Sequence, residues 1–167
     1  ITVEQTYTNM VGYNQTHFSI NDVVIPEENI LTRGEQGFKQ QLISLNWERL
    51  GSSALTLGWA EAGLEHALSY ANEREQFGQQ LNEFQGIEWK LAEMYRRIET
   101  AAAVVYQSAA GADGGNHAPS RLHTSVAKLH SSQIVEKVVS EALQTVGARA
   151  YQQGHPLEYL YRFARSR

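Results

Sequence analysis

The stretch from Arg74 to Gln85, REQFGQQLNEFQ, places a cation, an aromatic ring and a glycine within five residues. Arg74 can fork two N–H groups onto a phosphate, Phe77 can lie against a flat ring, and Gly78 lets the backbone turn sharply. Those are the parts of a site for a phosphorylated, ring-bearing ligand. By local chemistry alone the plainer reading is favoured, a helix-ending turn whose Phe closes the core and whose Arg is solvated, because connections between helices are short and polar. A second candidate lies in LNWERLG, where Glu48 and Arg49 stand among apolar residues. A charge in such a setting must be paired or face a cleft. A carboxylate in an apolar cleft is a credible general base; an intrahelical or interhelical ion pair is the structural alternative.

Other chemistry finds no support. A di-iron bundle needs Glu-x-x-His on two helices, and none of the six histidines has a Glu three residues before it. HExxH is absent too, so no metal is expected. There is no GxxxxGK[ST], no GxGxxG, no GxSxG and no cysteine, which removes the usual nucleotide loops, covalent acyl chemistry and Cys-ligated zinc. His17, His66, His117, His123, His130 and His155 read as polar-face or loop residues.

The elements that must hold these residues follow from period. Residues 1–31 carry short β-branched or alternating segments (Ile1, Val3, Phe18, Ile20, Val23, Val24, Ile25) around Gly12-Tyr13-Asn14, which predicts strand, turn, strand. Pro26 ends the second strand and EEN turns. From Gly37 the period becomes helical. Phe38, Leu42, Leu45, Ala54, Leu57, Ala60, Leu64, Ala67 and Ala71 trace the inner face of a long first helix, with Gly51, Gly58 and Gly63 allowing close neighbours. A second helix is predicted from an N-cap at Asn82 through Ile87, Trp89, Leu91, Met94, Ile98, Ala102, Val105 and Ala109 to a stop at Gly114-Gly115. A third starts at Pro119, buries Leu122, Val126, Leu129, Ile134, Val138 and Ala142, and ends at Gly147. A fourth starts at Pro156 and runs through Leu157 and Leu160 to the end of the chain. Long helices with short connections predict a mainly α protein, an antiparallel up-down four-helix bundle preceded by a β-hairpin.

Composition sets outer limits. The 167 residues are 42% hydrophobic and 19% charged, enough for one packed domain or a domain plus part of another. A formal net charge of −4 gives no electrostatic case for nucleic acid or an anionic membrane. No apolar run approaches the roughly 18–20 residues of a membrane span, and ITVEQTYTNM lacks the layout of a signal peptide. A cysteine-free chain fits a reducing compartment, so the expected location is cytoplasmic. The first residue is not Met, as in a piece of a longer protein.

With these elements in place, YANEREQFGQQLNEFQGIEWKLAEM resembles the signature of the acyl-CoA dehydrogenase family, in which R-x-x-F-G is followed by Gln and then by L-A-x-M. FSINDVVIPEENIL is similar to the family's last middle-domain strand and its exit. GEQGF resembles the entry to the first helix of the C-terminal domain, Ala127-Lys128 resembles its third helix, and QTVGARAY resembles Q-x-x-G-G-x-G-Y. The resemblance implies that residues 1–31 are the last strands of a middle β-domain and residues 32–167 a C-terminal four-helix domain, incomplete at its end. It implies FAD, bound with its adenosine–pyrophosphate half reaching a neighbouring subunit. Carried over by position, Arg74 meets the pyrophosphate, Phe77 contacts the ADP portion, Gln76 and Gln85 lie near it, and Gln144 and Gly147 approach the same half from the facing subunit.

Two positions depart from the family pattern. Ala148 stands for the second glycine, with Arg149 and Ala150 after it, and Phe163 stands where Asp is common. A Cβ at Ala148 weakens or shifts the flavin contact unless Arg149 compensates, and an altered half-site raises the alternative of a hetero-oligomer.

The implied reaction is α,β-dehydrogenation of an acyl-CoA: a Glu takes the α-proton and the β-hydride passes to flavin. Most members hold that Glu a few residues beyond the position of Arg167; a minority hold it on the first helix, where this chain has Glu48, with Arg49 orienting it or near the acyl-CoA. Implied partners are the acyl-CoA substrate, an electron-transfer flavoprotein as acceptor, and further copies or homologous subunits in a dimer or tetramer. Two other readings stand beside this one: a non-catalytic oligomerisation module, and an acyl-CoA oxidase or flavin monooxygenase of the same superfamily.

Overall fold

The computed structural model describes residues 1–112 and 118–166. They divide into two compact units, Ile1–Leu42 and Ile43–Arg167, with one helix running through the boundary.

In the first unit, β1 (Thr2–Thr8) pairs antiparallel with β2 (Asn14–Ser19), from Thr2 opposite Ser19 to Thr8 opposite Asn14, with an irregularity between Val3 and Gln5. The turn is built by Asn9, whose side-chain oxygen accepts from the backbone N–H groups of Val11 and Tyr13, both at 3.0 Å, while Gly12 takes φ 92°. That is the local bonding that makes Asn a turn residue. The second strand stops earlier than the β-branched run Val23–Ile25 predicts. Its ladder ends with Ser19 opposite Thr2, and Asp22 then takes φ 52°, which breaks extension. The EEN segment forms a 3₁₀ turn, Glu27–Asn29.

Four helices make the rest: α1 (Gly34–Glu73), α2 (Gln85–Ala110), α3 (Arg121–Val146) and α4 (Pro156–Arg165). They form the antiparallel up-down bundle, and its core joins Leu57, Ala60, Leu64 and Ala67 of α1 to Leu91, Met94 and Ile98 of α2, Val135, Val138 and Val139 of α3, and Leu157 of α4. Glycines do not interrupt α1. Of the three expected to allow close neighbours only Gly63 does so: a Cβ there would lie 3.3 Å from Val139 Cγ2, whereas Gly51 and Gly58 face open space. Gly63→Leu should therefore destabilise the bundle by about 1–3 kcal/mol through overpacking. Gly58→Ala should stabilise it by about 0.5–1 kcal/mol through helix propensity. Urea unfolding of both variants checks the pair.

The helix boundaries shift where side chains have other work. Asn82 does not cap α2; it lies in a 3₁₀ turn (Leu81–Glu83), its amide donating to Asn72 Oδ1 at 2.7 Å, and α2 begins at Gln85. The helix ends at Ala110, and Gly114, Gly115 and His117 lie outside the described residues. Pro119 is not in the first turn of α3 but precedes its cap: the helix begins at Arg121 and Ser120 caps it, its Oγ accepting from the His123 N–H. His155 caps α4, its Nδ1 accepting from the Leu157 N–H at 3.1 Å, with Pro156 at the first helical position. That helix closes at Arg165, where Ser166 N–H donates to the Phe163 carbonyl.

Several residues expected inside are outside. Phe38, Leu42, Ala54, Trp89, Leu122, Val126 and Leu129 are exposed. On α3 the buried face carries Thr124, Ala127 and Ser131 instead. Small residues let neighbouring helices approach, and the two hydroxyls are satisfied by carbonyls of their own helix, Ser120 and Lys128 among them.

Candidate functional site

The turn between α1 and α2 is a miniature hairpin. Arg74 follows the last residue of α1 and donates its N–H to the Tyr70 carbonyl at 2.9 Å, while its own carbonyl accepts from Leu81 N–H at 2.9 Å. Between these anchors β3 (Glu75–Gln76) pairs with β4 (Gln79–Gln80). The two-residue turn Phe77-Gly78 has φ 54° and 85°, positive at both positions, as tight hairpins require. Gly78 adopts this freely, but Phe77 does so at a cost, and it is 95% exposed. A bulky residue held in a left-handed conformation and aimed into solvent is the kind of outlier that marks a binding site. Phe77→Gly should remove that strain and raise stability by about 1 kcal/mol, while weakening whatever the ring holds. Thermal unfolding and ligand titration of the same variant check both halves.

Beside the turn lies an apolar groove of about 540 Å³, lined by Gln76, Phe77, Leu81, Phe84, Ile87 and Lys90. Phe84 meets Phe77 edge to face with ring centroids 6.4 Å apart, the preferred aromatic geometry. Phe84 and Lys90 were not legible as groove residues in the sequence; the signal available was the apolar spacing LNEFQGI immediately after the turn. Gln76 is exposed and its side-chain amide donates to the Glu75 carbonyl at 2.8 Å. Gln85 is the exposed first residue of α2. Arg74 is half-buried and has no ion-pair partner among the described residues, unlike Arg33, Arg96, Arg97, Arg162 and Arg165. Its guanidinium is thus available for an anion.

Gln144 and Gly147 stand at the other candidate half. Gln144 is exposed on the last turn of α3, and Gly147 ends that helix with φ 74° and ψ −145°, a conformation that needs glycine. Ala148 is exposed and does not take a positive φ, so the backbone at that position does not itself require glycine. Tyr70 and Glu73 of α1 line one small cleft together with Val146 of α3. The C-terminal ends of α1 and α3 therefore lie together, and Arg74 and Gly147 belong to the same end of the bundle. Phe163 has a structural role: it is buried, 5.0 Å from the Trp59 ring and 4.7 Å from the Tyr159 ring between centroids.

Glu48 is exposed on α1 and not enclosed by the apolar cleft that its neighbours suggest, because Trp47 beside it is exposed as well. It forms no ion pair with Arg49. Arg49 is half-buried, and its Nη1 donates to Oδ1 of the buried Asn46 at 3.2 Å. That contact was not foreseen, although the three-residue spacing puts both side chains on one helix face. Glu48 and Glu73 are joined by unbroken helix, which at 1.5 Å per residue separates Glu48 from the Arg74 turn by about 37 Å. The structure therefore keeps the carboxylate and the arginine turn apart.

Among the described residues, Glu93 on α2 is the carboxyl with a strongly shifted titration, held down at about 2 by hydrogen bonds from Arg96 and by the charges of Arg96 and Arg97. Arg96 grips it with two bonds of 2.7 Å. A carboxylate so firmly ionised makes a poor proton acceptor near neutral pH, so Glu93 is an ion-pair residue rather than a base. Among the described residues no three His, Asp or Glu side chains gather so as to hold a metal ion, and no helix is long and apolar enough to cross a membrane.

Residues 35–167 match the family model described as acyl-CoA dehydrogenase, C-terminal domain. The chain is 37% identical over 160 residues to an acyl-CoA dehydrogenase of Bacillus subtilis (strain 168), covering 93% of this chain and 41% of that protein. It is 31% identical over 156 residues to the caffeyl-CoA reductase-Etf complex subunit CarC of Acetobacterium woodii, covering 93% of this chain and 41% of that subunit. Among solved structures, butyryl-CoA dehydrogenase from Megasphaera elsdenii matches with a TM-score of 0.89 at 34% identity, over 99% of this chain and 43% of that one. The chain thus spans about two-fifths of the length of the relatives it matches.

Proposed function

This chain belongs to the acyl-CoA dehydrogenase family through its C-terminal domain, and from that membership we propose that it serves an FAD-dependent α,β-dehydrogenation of an acyl-CoA thioester. The observation that carries the proposal is the Arg74–Phe77 turn: a guanidinium with no ion-pair partner among the described residues beside an exposed ring held at φ 54°. These residues fit a dinucleotide. Arg74 would take the pyrophosphate, Phe77 and the apolar groove would take the ADP portion, and Gln76 and Gln85 would border it. Gln144 and Gly147 would approach the same half from a facing subunit.

When bound, the flavin supplies the acceptor for the β-hydride. The chain's own contribution is a proton acceptor, and Glu48 is its candidate: its carboxylate takes the α-proton once hydrogen bonds to the thioester carbonyl make that proton acidic. Arg49, steadied by Asn46, would orient the carboxylate or lie near the acyl-CoA. The separation of about 37 Å between Glu48 and Arg74 exceeds the reach of one extended dinucleotide. A single copy therefore cannot apply both to one cofactor, and the proposal requires an oligomer in which the Arg74 turn serves a neighbour's flavin. Residues 1–31 would be the last strands of a middle β-domain, consistent with a hairpin that leaves Val3, Tyr7 and Phe18 exposed.

The name of the CarC relative, a subunit of an Etf complex, supports an electron-transfer flavoprotein as acceptor. Stopped-flow reoxidation tests this directly. The reduced full-length protein should pass electrons to electron-transfer flavoprotein and react slowly with O₂; rapid reaction with O₂ would assign an oxidase or monooxygenase instead.

A further inference from the structure

We infer that Arg149 is a second pyrophosphate-binding cation, supplied from the end of α3 to the dinucleotide that Arg74 holds from the other subunit. The inference rests on the proposed flavin reading and adds a residue to it. The end of α3 is a poor place for an anion by itself. The free carbonyls of a helix C-terminus are its negative pole. The Gly147 N–H, which could otherwise face a phosphate, already donates to the Leu143 carbonyl. Ala148 contributes a Cβ and no polar group beyond its backbone, and Gln144 is neutral. His155 Nδ1 is engaged by the Leu157 N–H.

Arg149 answers that deficit. It lies in the 3₁₀ segment Gly147–Tyr151 directly after α3, is exposed, and has no ion-pair partner among the described residues. Its backbone is anchored on the C-terminal side: Ala150 is wholly buried in the core, and the Arg149 carbonyl accepts from Gln152 N–H at 3.3 Å. A guanidinium on so anchored a segment presents a fork with little backbone freedom to lose on binding. It offsets both the helix pole and the methyl of Ala148.

The test uses the full-length protein stripped of flavin and titrated with FAD, then with ADP and adenosine as competitors. Arg149→Gln should weaken FAD and ADP about tenfold, leave adenosine unchanged, and flatten the salt dependence of FAD binding, since one screened charge contact is gone. Thermal unfolding should not move, because the side chain is exposed. If Arg149→Gln leaves FAD and ADP unchanged while Arg74→Gln weakens both, the second cation is refuted and the dinucleotide site stands. If neither substitution has an effect, the dinucleotide site falls with it. Equal losses of ADP and adenosine would overturn the inference too, since a pyrophosphate contact cannot weaken a nucleoside.

Discussion

Arg74→Glu should strip the protein of FAD. The substitution removes a charge-assisted, two-pronged contact, of the kind worth about 1.5–3 kcal/mol per hydrogen bond, and puts a carboxylate against the pyrophosphate it held. Together these predict a loss of affinity of at least about a hundredfold, read as colourless protein after purification and as a raised Kd on reconstitution. The fold should survive, because no ion pair among the described residues depends on Arg74 and the turn is fastened by backbone bonds from Tyr70 and to Leu81. Arg74→Lys should fall between, keeping the charge and losing the fork. Undiminished flavin content in Arg74→Glu would remove the turn from the cofactor site.

Glu48→Gln should act on the reaction and leave the flavin bound. Loss of a general base costs on the order of 10²–10⁴ in rate, so bleaching of the flavin by an acyl-CoA should slow by that factor in anaerobic stopped flow. Glu48 is about 37 Å along α1 from the Arg74 turn, which predicts unchanged flavin content in the same sample. Its exposure predicts unchanged stability. A variant that bleaches at the parent rate would place the base elsewhere in the full-length protein.

Much of this was legible before the structure, and the misses share a cause. Period located α1 to α4 because each buries a continuous stripe, and Gly147 read correctly as a helix end because its position needs positive φ. Period could not choose between two apolar faces on α3. Leu122, Val126 and Leu129 are larger and more apolar than Thr124, Ala127 and Ser131, yet the small residues are the ones buried, since close helix approach rewards size matching over bulk. Trp89 misled in the same way. Asn82 has the right chemistry for a cap, and only the position of Asn72 opposite it shows why that amide is used elsewhere. At the site, the types of Arg74, Phe77 and Gly78 left a ligand turn and a plain helix-ending turn both open, and only the resemblance of the longer stretch to a family signature favoured the first. The left-handed backbone of Phe77 and the groove it borders required coordinates, because both depend on the hairpin pairing of Glu75 with Gln80. Glu48 looked enclosed by its sequence neighbours, but a helix turns adjacent residues by about 100°, so neighbours in sequence are not neighbours in a cleft.

The most direct measurement is the visible spectrum of the purified full-length protein, recorded before and after anaerobic addition of a panel of acyl-CoAs. The expected result is bound flavin whose absorbance is bleached by at least one of them. Protein that takes up no flavin even on reconstitution, or flavin that no acyl-CoA bleaches, would contradict it and favour a helical assembly module.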